Sequence, residues 1–286
     1  LFPYTTLFRS GAITPTLQNY TDAGITGIGG AGQPSLASIN DAINHQAGSD
    51  STVGNANDRD GADTKAEVQA IVDAYQAIID NANNASATNP SQGDYASIGV
   101  TGVSSTEAAN LLGDAIDGKA TADVDTVQQV QDLANAATAV LAGTATVAQL
   151  QLLGLDTSAI TNAAQLASVQ AALAAKPDAS IDSLSEVQSA INAALQSLAK
   201  IQAYADNASN PAPDATDYAN IGVSGIGGAG QPSVAALNTA LAEPEVQAAQ
   251  VPGTSAVQAI VNAYTAITAA ADGSDNNATN PTQPQY

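Results

Sequence analysis

The chain has 286 residues, with 27 acidic and 6 basic side chains and a formal net charge of −21. Nucleic acid and anionic membrane surfaces are bound through Lys/Arg patches, so this balance excludes both as expected partners. Cys, Met and Trp are absent and there are only two Phe, which rules out a disulfide framework and cysteine-based metal sites and predicts thin, Ala-rich cores.

In chain order, residues 1–10 (LFPYTTLFRS) come first. They hold both Phe residues and match the in-frame translation of a sequencing adapter. We read them as an artefact and leave them out of the fold. Without Arg9 the net charge passes from −21 to −22. Residues 11–19 are read as a lead-in.

From Tyr20 the sequence repeats itself. The stretch from Tyr20 through Gly24, Gly27–Gly32 and Pro34 returns almost unchanged from Tyr218 through Gly222, Gly225–Gly230 and Pro232. Tyr95-Ala-Ser-Ile-Gly99-Val is a third copy, and Leu150-Gln-Leu-Leu-Gly154-Leu is a degenerate fourth. These starts divide the chain into segments 20–94, 95–149, 150–217 and 218–286. Tyr286 follows Asn280-Pro281, as Tyr95 follows Asn89-Pro90, so a fifth start is expected there.

Each segment predicts two helices. The middle one is expected over Ser35–Asn44, Ser105–Ile116, Asn162–Ala175 and Ser233–Ala242, with Ser35, Ser105 and Ser233 as N-cap signals. The long one follows from apolar residues at helical spacing. Val68, Ile71, Val72, Tyr75 and Ile78 recur as Val257, Ile260, Val261, Tyr264 and Ile267. Val127, Val130, Leu133, Ala137 and Val140 form the stripe of the second segment. Leu184, Val187, Ile191, Leu195, Leu198 and Ile201 form that of the third. Tyr75 and Tyr264 are expected in the core or at its rim. Such a thin hairpin buries little alone, so each long helix is expected to serve the next segment too. The fold class is therefore all-α: tandem small helical-bundle repeats in an elongated array.

This pattern resembles the GA module of bacterial surface proteins and the GA-like domains of giant secreted adhesins. The resemblance rests on the turns Gly99-Val-Thr and Gly222-Val-Ser. It rests also on the last-helix openings Thr126-Val127-Gln128 and Thr254-Ser-Ala-Val257-Gln258. It covers residues 20–286 and implies three-helix repeats of a large extracellular or cell-surface protein. Albumin binding is not carried over, because the middle helices are Ala-rich with few charged or aromatic residues.

Candidate chemistry is sparse. His45, the only histidine, is expected to be a solvated helix-terminal residue. Gly27-Ile-Gly29-Gly-Ala-Gly32 fits GxGxxG formally, but follows no strand and reads as a flexible turn. One stretch suggests Ca2+. Asp58, Asp60, Gly61 and Glu67 fall at positions 3, 5, 6 and 12 of an EF-hand loop, with Asp63 as a further oxygen source. Position 1 would be Ala56, which cannot ligate, and Glu67 is also favoured by the helix dipole. The metal candidates are thus Asp58, Asp60, Asp63 and Glu67. No other cofactor and no enzyme activity are expected. The leading functional expectation is a structural spacer of an extracellular bacterial adhesin that serves surface attachment or biofilm, with neighbouring repeats as partners. The alternative is a module that binds a host or matrix protein.

Overall fold

The computed structural model describes residues 14–46, 62, 64–83 and 88–271. Among them are twelve α-helices and three short 3-10 turns, with no strand. The order short, medium, long occurs four times. It runs α1 (Leu17–Asp22), α2 (Leu36–Gln46) and α3 (Lys65–Asn83), then α4 (Gln92–Ser97), α5 (Thr106–Asp117) and α6 (Val127–Leu141). It continues with α7 (Val147–Leu152), α8 (Ala163–Ala174) and α9 (Leu184–Asp206), then α10 (Ala215–Asn220), α11 (Val234–Leu241) and α12 (Thr254–Ala271). The middle helices lie where the sequence places them. Their N-cap side chains accept from the third residue on: Ser105 from the Ala108 N–H, Asn162 from Gln165 and Ser233 from Ala236.

The short helices are an addition to the sequence reading. Tyr20, Tyr95, Leu150 and Tyr218 sit inside them and not at a segment's start. Reciprocal capping boxes open three of them: Thr16 with Asn19, Ser91 with Asp94 and Asp214 with Asp217. Each ends in a Schellman closure. The Ile25 N–H donates to the Tyr20 carbonyl at 2.9 Å and the Gly24 N–H to that of Thr21 at 2.9 Å. The six-residue bond recurs from Val100 to Tyr95, from Leu155 to Leu150 and from Val223 to Tyr218, at 3.0, 3.1 and 3.0 Å. This closure needs a left-handed residue between its ends, and Gly24, Gly99, Gly154 and Gly222 supply it with φ from 75 to 93°. The motif Tyr-x3-Gly-apolar is thus one physical object: a buried helix residue, a left-handed stop and a second buried apolar residue whose N–H bonds back to the first.

Two compact bodies are formed. Of the described residues, the first holds those up to Thr138 with 152–154 and 182–184, and the second holds 139–151, 155–181 and 185–271. In the first, α3 packs against α2, α4 and α5, and Ile71, Tyr75, Ile78, Tyr95, Ile98 and Leu111 are fully buried. In the second, Leu198 and Ile201 of α9 join Tyr218, Ile221, Leu237 and Val261 in one core. Each such aliphatic side chain contributes about 1.5–3 kcal/mol, and the Ala positions between them let the helices approach closely.

Candidate functional site

The most regular polar feature is a glutamine on each long helix that clasps the turn of its own segment. Gln69 accepts from the Thr26 N–H at 3.1 Å, and its Nε2 donates to the Thr26 carbonyl at 3.2 Å. Gln131 does the same with Thr101 at 2.8 and 3.0 Å, and Gln188 with Asp156 at 2.7 and 3.2 Å. Gln258 does it with Ser224 at 3.0 and 3.1 Å. The second Nε2 proton goes to an Asp or Asn four residues on: Asp73, Asn135, Asn192 or Asn262. A side-chain amide thus replaces a backbone partner for the loop residue two after the left-handed glycine. The second segment corrects the sequence register by one helical turn. Its counterpart of Gln69 and Gln258 is Gln131, whereas Gln128 donates to Asp132.

A second recurring feature joins consecutive segments. The first N–H groups of a helix have no partner within it. Here the preceding segment's middle helix supplies one. Asp41 of α2 accepts from the Val127 N–H of α6 at 2.7 Å, and Ser168 of α8 from the Thr254 N–H of α12 at 3.0 Å. Asp114 of α5 accepts from Leu184 at 3.2 Å, all within the first body. Asp41 and Ser168 occupy the same place, six residues after the N-cap positions Ser35 and Asn162.

Hydrogen bonds also fix the tyrosines. The Tyr20 and Tyr218 hydroxyls each donate to an asparagine, Asn40 and Asn238, at 2.6 Å. Those asparagines donate in turn to the carbonyls of Pro15 and Pro213. Burial pushes all three short-helix phenols above their ordinary pKa. In the second segment Asn110 turns instead to Asp182, and the buried Tyr95 hydroxyl has no partner among the described residues.

Of the metal candidates, Asp58, Asp60 and Asp63 lie outside the described residues. Glu67 stands in the first turn of α3, where its Oε2 accepts from the Thr64 N–H at 2.8 Å and its own N–H donates to Thr64 Oγ1. It is half of a capping box. No cluster of three His, Cys, Asp or Glu occurs among the described residues. His45 is exposed, with Nδ1 2.9 Å from the Asp41 carbonyl oxygen. The glycine loops are internally bonded in both copies. Gly29 and Gly227 donate to the Pro34 and Pro232 carbonyls, and Gly30 and Gly228 to the Gln33 and Gln231 side chains. Their amides thus close the loop on itself and do not form a phosphate cradle. A cleft of about 330 Å³ is lined by Lys119, Asp123, Gln129 and Leu152. Its polar groups serve nearby backbone, with Lys119 donating to the Leu152 carbonyl and Asp123 accepting from the Ala120 N–H.

A charged pair joins the long helix of the third segment to the short helix that follows it. Lys200 of α9 donates to Asp217 of α10, which also accepts from Ser197 and from the Asp214 N–H. Burial pushes the Asp217 carboxyl up, but these bonds outweigh it and hold its pKa below the ordinary value. Asp117 of α5 is the reverse: burial and then the neighbouring Asp114 raise it.

Comparison with protein-family models, with curated proteins and with solved structures finds no match. No helix among the described residues is long and apolar enough to cross a membrane.

Proposed function

We propose that the chain is a structural spacer: tandem three-helix repeats, arrayed end to end, of a large extracellular bacterial adhesin, without enzymatic activity. The observation that carries this reading is the glutamine clasp, which occurs at the same place in all four segments. In a binding site the recurring polar side chains would converge on a ligand. Here they converge on the chain's own turns and helix ends. The cysteine-free, strongly acidic composition and the likeness of the turn and last-helix motifs to GA-like modules support an extracellular setting. The acidic stretch from Asp58 to Glu67 is carried as a Ca2+ proposal within the same reading.

Small-angle scattering combined with a binding screen tests it. A single compact domain of this length has a radius of gyration of roughly 19 Å; an end-to-end array exceeds this clearly. The immobilised chain should show no saturable binding to serum or matrix proteins. A compact particle, or saturable capture of one such protein, would overturn the spacer reading, the latter in favour of a binding module.

A further inference from the structure

The turn that ends α9 holds a tripeptide that the helix packing does not use. Asn207-Ala-Ser209 has the form Asn-x-Ser/Thr with x other than Pro, the acceptor pattern for attachment of a sugar to an asparagine amide. In sequence the same form follows the long helix of the first and fourth segments, as Asn84-Ala-Ser86 and Asn277-Ala-Thr279, both outside the described residues. Asn207, Ala208 and Ser209 are all exposed. The turn is nonetheless fixed at both ends on the Ala203 carbonyl, to which the Asn207 N–H donates at 3.1 Å and Asn210 Nδ2 at 2.7 Å. The Asn210 N–H closes on the Asn207 carbonyl at 2.9 Å. Within that turn Asn207 Oδ1 accepts from the Ser209 N–H at 3.0 Å, an Asx turn that ties the carboxamide to the serine two residues on. Among the described residues no group bonds Asn207 Nδ2 or the Ser209 hydroxyl. A second tripeptide of the same form gives an internal contrast. In Asn19-Tyr20-Thr21 the asparagine Oδ1 is taken by the Thr16 N–H and hydroxyl at 2.9 and 2.8 Å. The Thr21 hydroxyl donates to the Leu17 carbonyl at 3.0 Å, and Tyr20 between them is fully buried. Asn89-Pro90-Ser91 is excluded by its Pro.

Resting on the extracellular reading above, we infer that Asn207 is the acceptor of an N-linked sugar. The sugar arrives activated on a diphosphate that is carried by a nucleotide or a lipid. Asn207 Nδ2 bonds to its anomeric carbon as the bond from that carbon to the diphosphate oxygen breaks. The diphosphate leaves with the electron pair, and one Nδ2 proton passes to a base of the transferase. The Ser209 hydroxyl can both donate and accept, so it is the group by which a transferase reads the tripeptide. Exposure lets an enzyme reach all three residues with α9 intact, whereas reaching Asn19 requires α1 to open and Tyr20 to leave the core. The sugar adds hydrophilic bulk at the end of a long helix without adding to the net charge of −21.

Incubation of the folded full chain with an N-glycosyltransferase of Asn-x-Ser/Thr specificity and its nucleotide-activated hexose tests the inference. Modified asparagines are mapped over time by peptide mass spectrometry. The expected result is hexose on Asn207, with Asn19 modified at least about tenfold more slowly. Asn207→Gln, Ser209→Ala and Ala208→Pro should each abolish the hexose at this turn, and Ser209→Thr should retain it. An unmodified Asn207, modification of Asn19 at the same rate, or modification of Asn207 that survives Ser209→Ala overturns the inference. The spacer reading is judged on the unmodified chain by scattering and the binding screen, so the two fail separately.

Discussion

The first and fourth segments share nearly the same residues and differ in what surrounds them. The first has a successor: α3 lies under α4 and α5. The fourth has a predecessor: a Cβ on Gly222 would lie 2.5 Å from the Ala171 carbonyl oxygen of α8, whereas one on Gly24 would meet only the end of the Lys65 side chain, at 2.8 Å. The difference teaches that the unit has two kinds of contact. Val68 and Val72, like Val257 and Val261, are buried by the unit itself. Tyr75 and Ile78 reach full burial beneath the α4 and α5 that follow them, whereas Tyr264 and Ile267, with no following pair among the described residues, are only partly buried.

The widest contrast is between the two long-helix tyrosines. Tyr75 is fully buried and donates to the Val124 carbonyl at 3.3 Å, so Tyr75→Ala is expected to cost roughly 3–5 kcal/mol. The half-buried Tyr264→Ala should cost about 1 kcal/mol. Urea unfolding followed by far-UV circular dichroism compares them, and equal losses would break the comparison. Next is the predecessor. Both Gly24→Ala and Gly222→Ala place a side chain at positive φ, worth about 1–2 kcal/mol. Only Gly222→Ala also drives a methyl into backbone, and its loss should be roughly twice as large.

These contrasts show how much was legible in the sequence. Tyr-x3-Gly-apolar and the Val-led stripes marked the units, because a Schellman stop and a buried helical face each need particular residue types at fixed spacing. The short helices were missed because six residues with one buried side chain show no periodicity; the Thr16/Asn19, Ser91/Asp94 and Asp214/Asp217 boxes were the available signal. Gln131 was missed because Val127-Gln128 and Val130-Gln131 lie one turn apart, and only the position of Thr101 decides between them. Glu67 was ambiguous for a physical reason: a calcium loop and a capping box both place Glu at the start of a helix. The caps between segments join residues as far as 86 positions apart, and no local pattern announces them.

Smaller effects follow. Ser168→Ala and Asp41→Ala each remove a cap delivered from the preceding segment, for about 1 kcal/mol, measured by the same unfolding curves. The short-helix box separates the two segments by pH. It uses the neutral Asn19 in the first and Asp217 in the fourth. A carboxyl with a lowered folded pKa adds stability above its unfolded pKa and loses it as pH falls through the folded value. Acidification below the ordinary carboxylate range should therefore loosen α10 before α1, and Asp217→Asn should flatten that dependence, read by amide signals of the two helices. The smallest effect is Glu67→Gln, where Gln serves the same box and the midpoint should move by only a few tenths of a kcal/mol. A Ca2+-dependent rise in the midpoint that this substitution abolishes would give Glu67 a metal role as well.

The central structural claim is that the middle helices α2, α5 and α8 each cap the long helix of the next segment. Amide hydrogen exchange at Val127 and Thr254 tests it most directly. First-turn N–H groups ordinarily exchange freely because the helix offers them no acceptor. Here both should be protected by about tenfold or more relative to free first-turn amides, with Asp41→Ala releasing Val127 alone and Ser168→Ala releasing Thr254 alone. Free exchange at both positions in the unaltered chain would contradict the account.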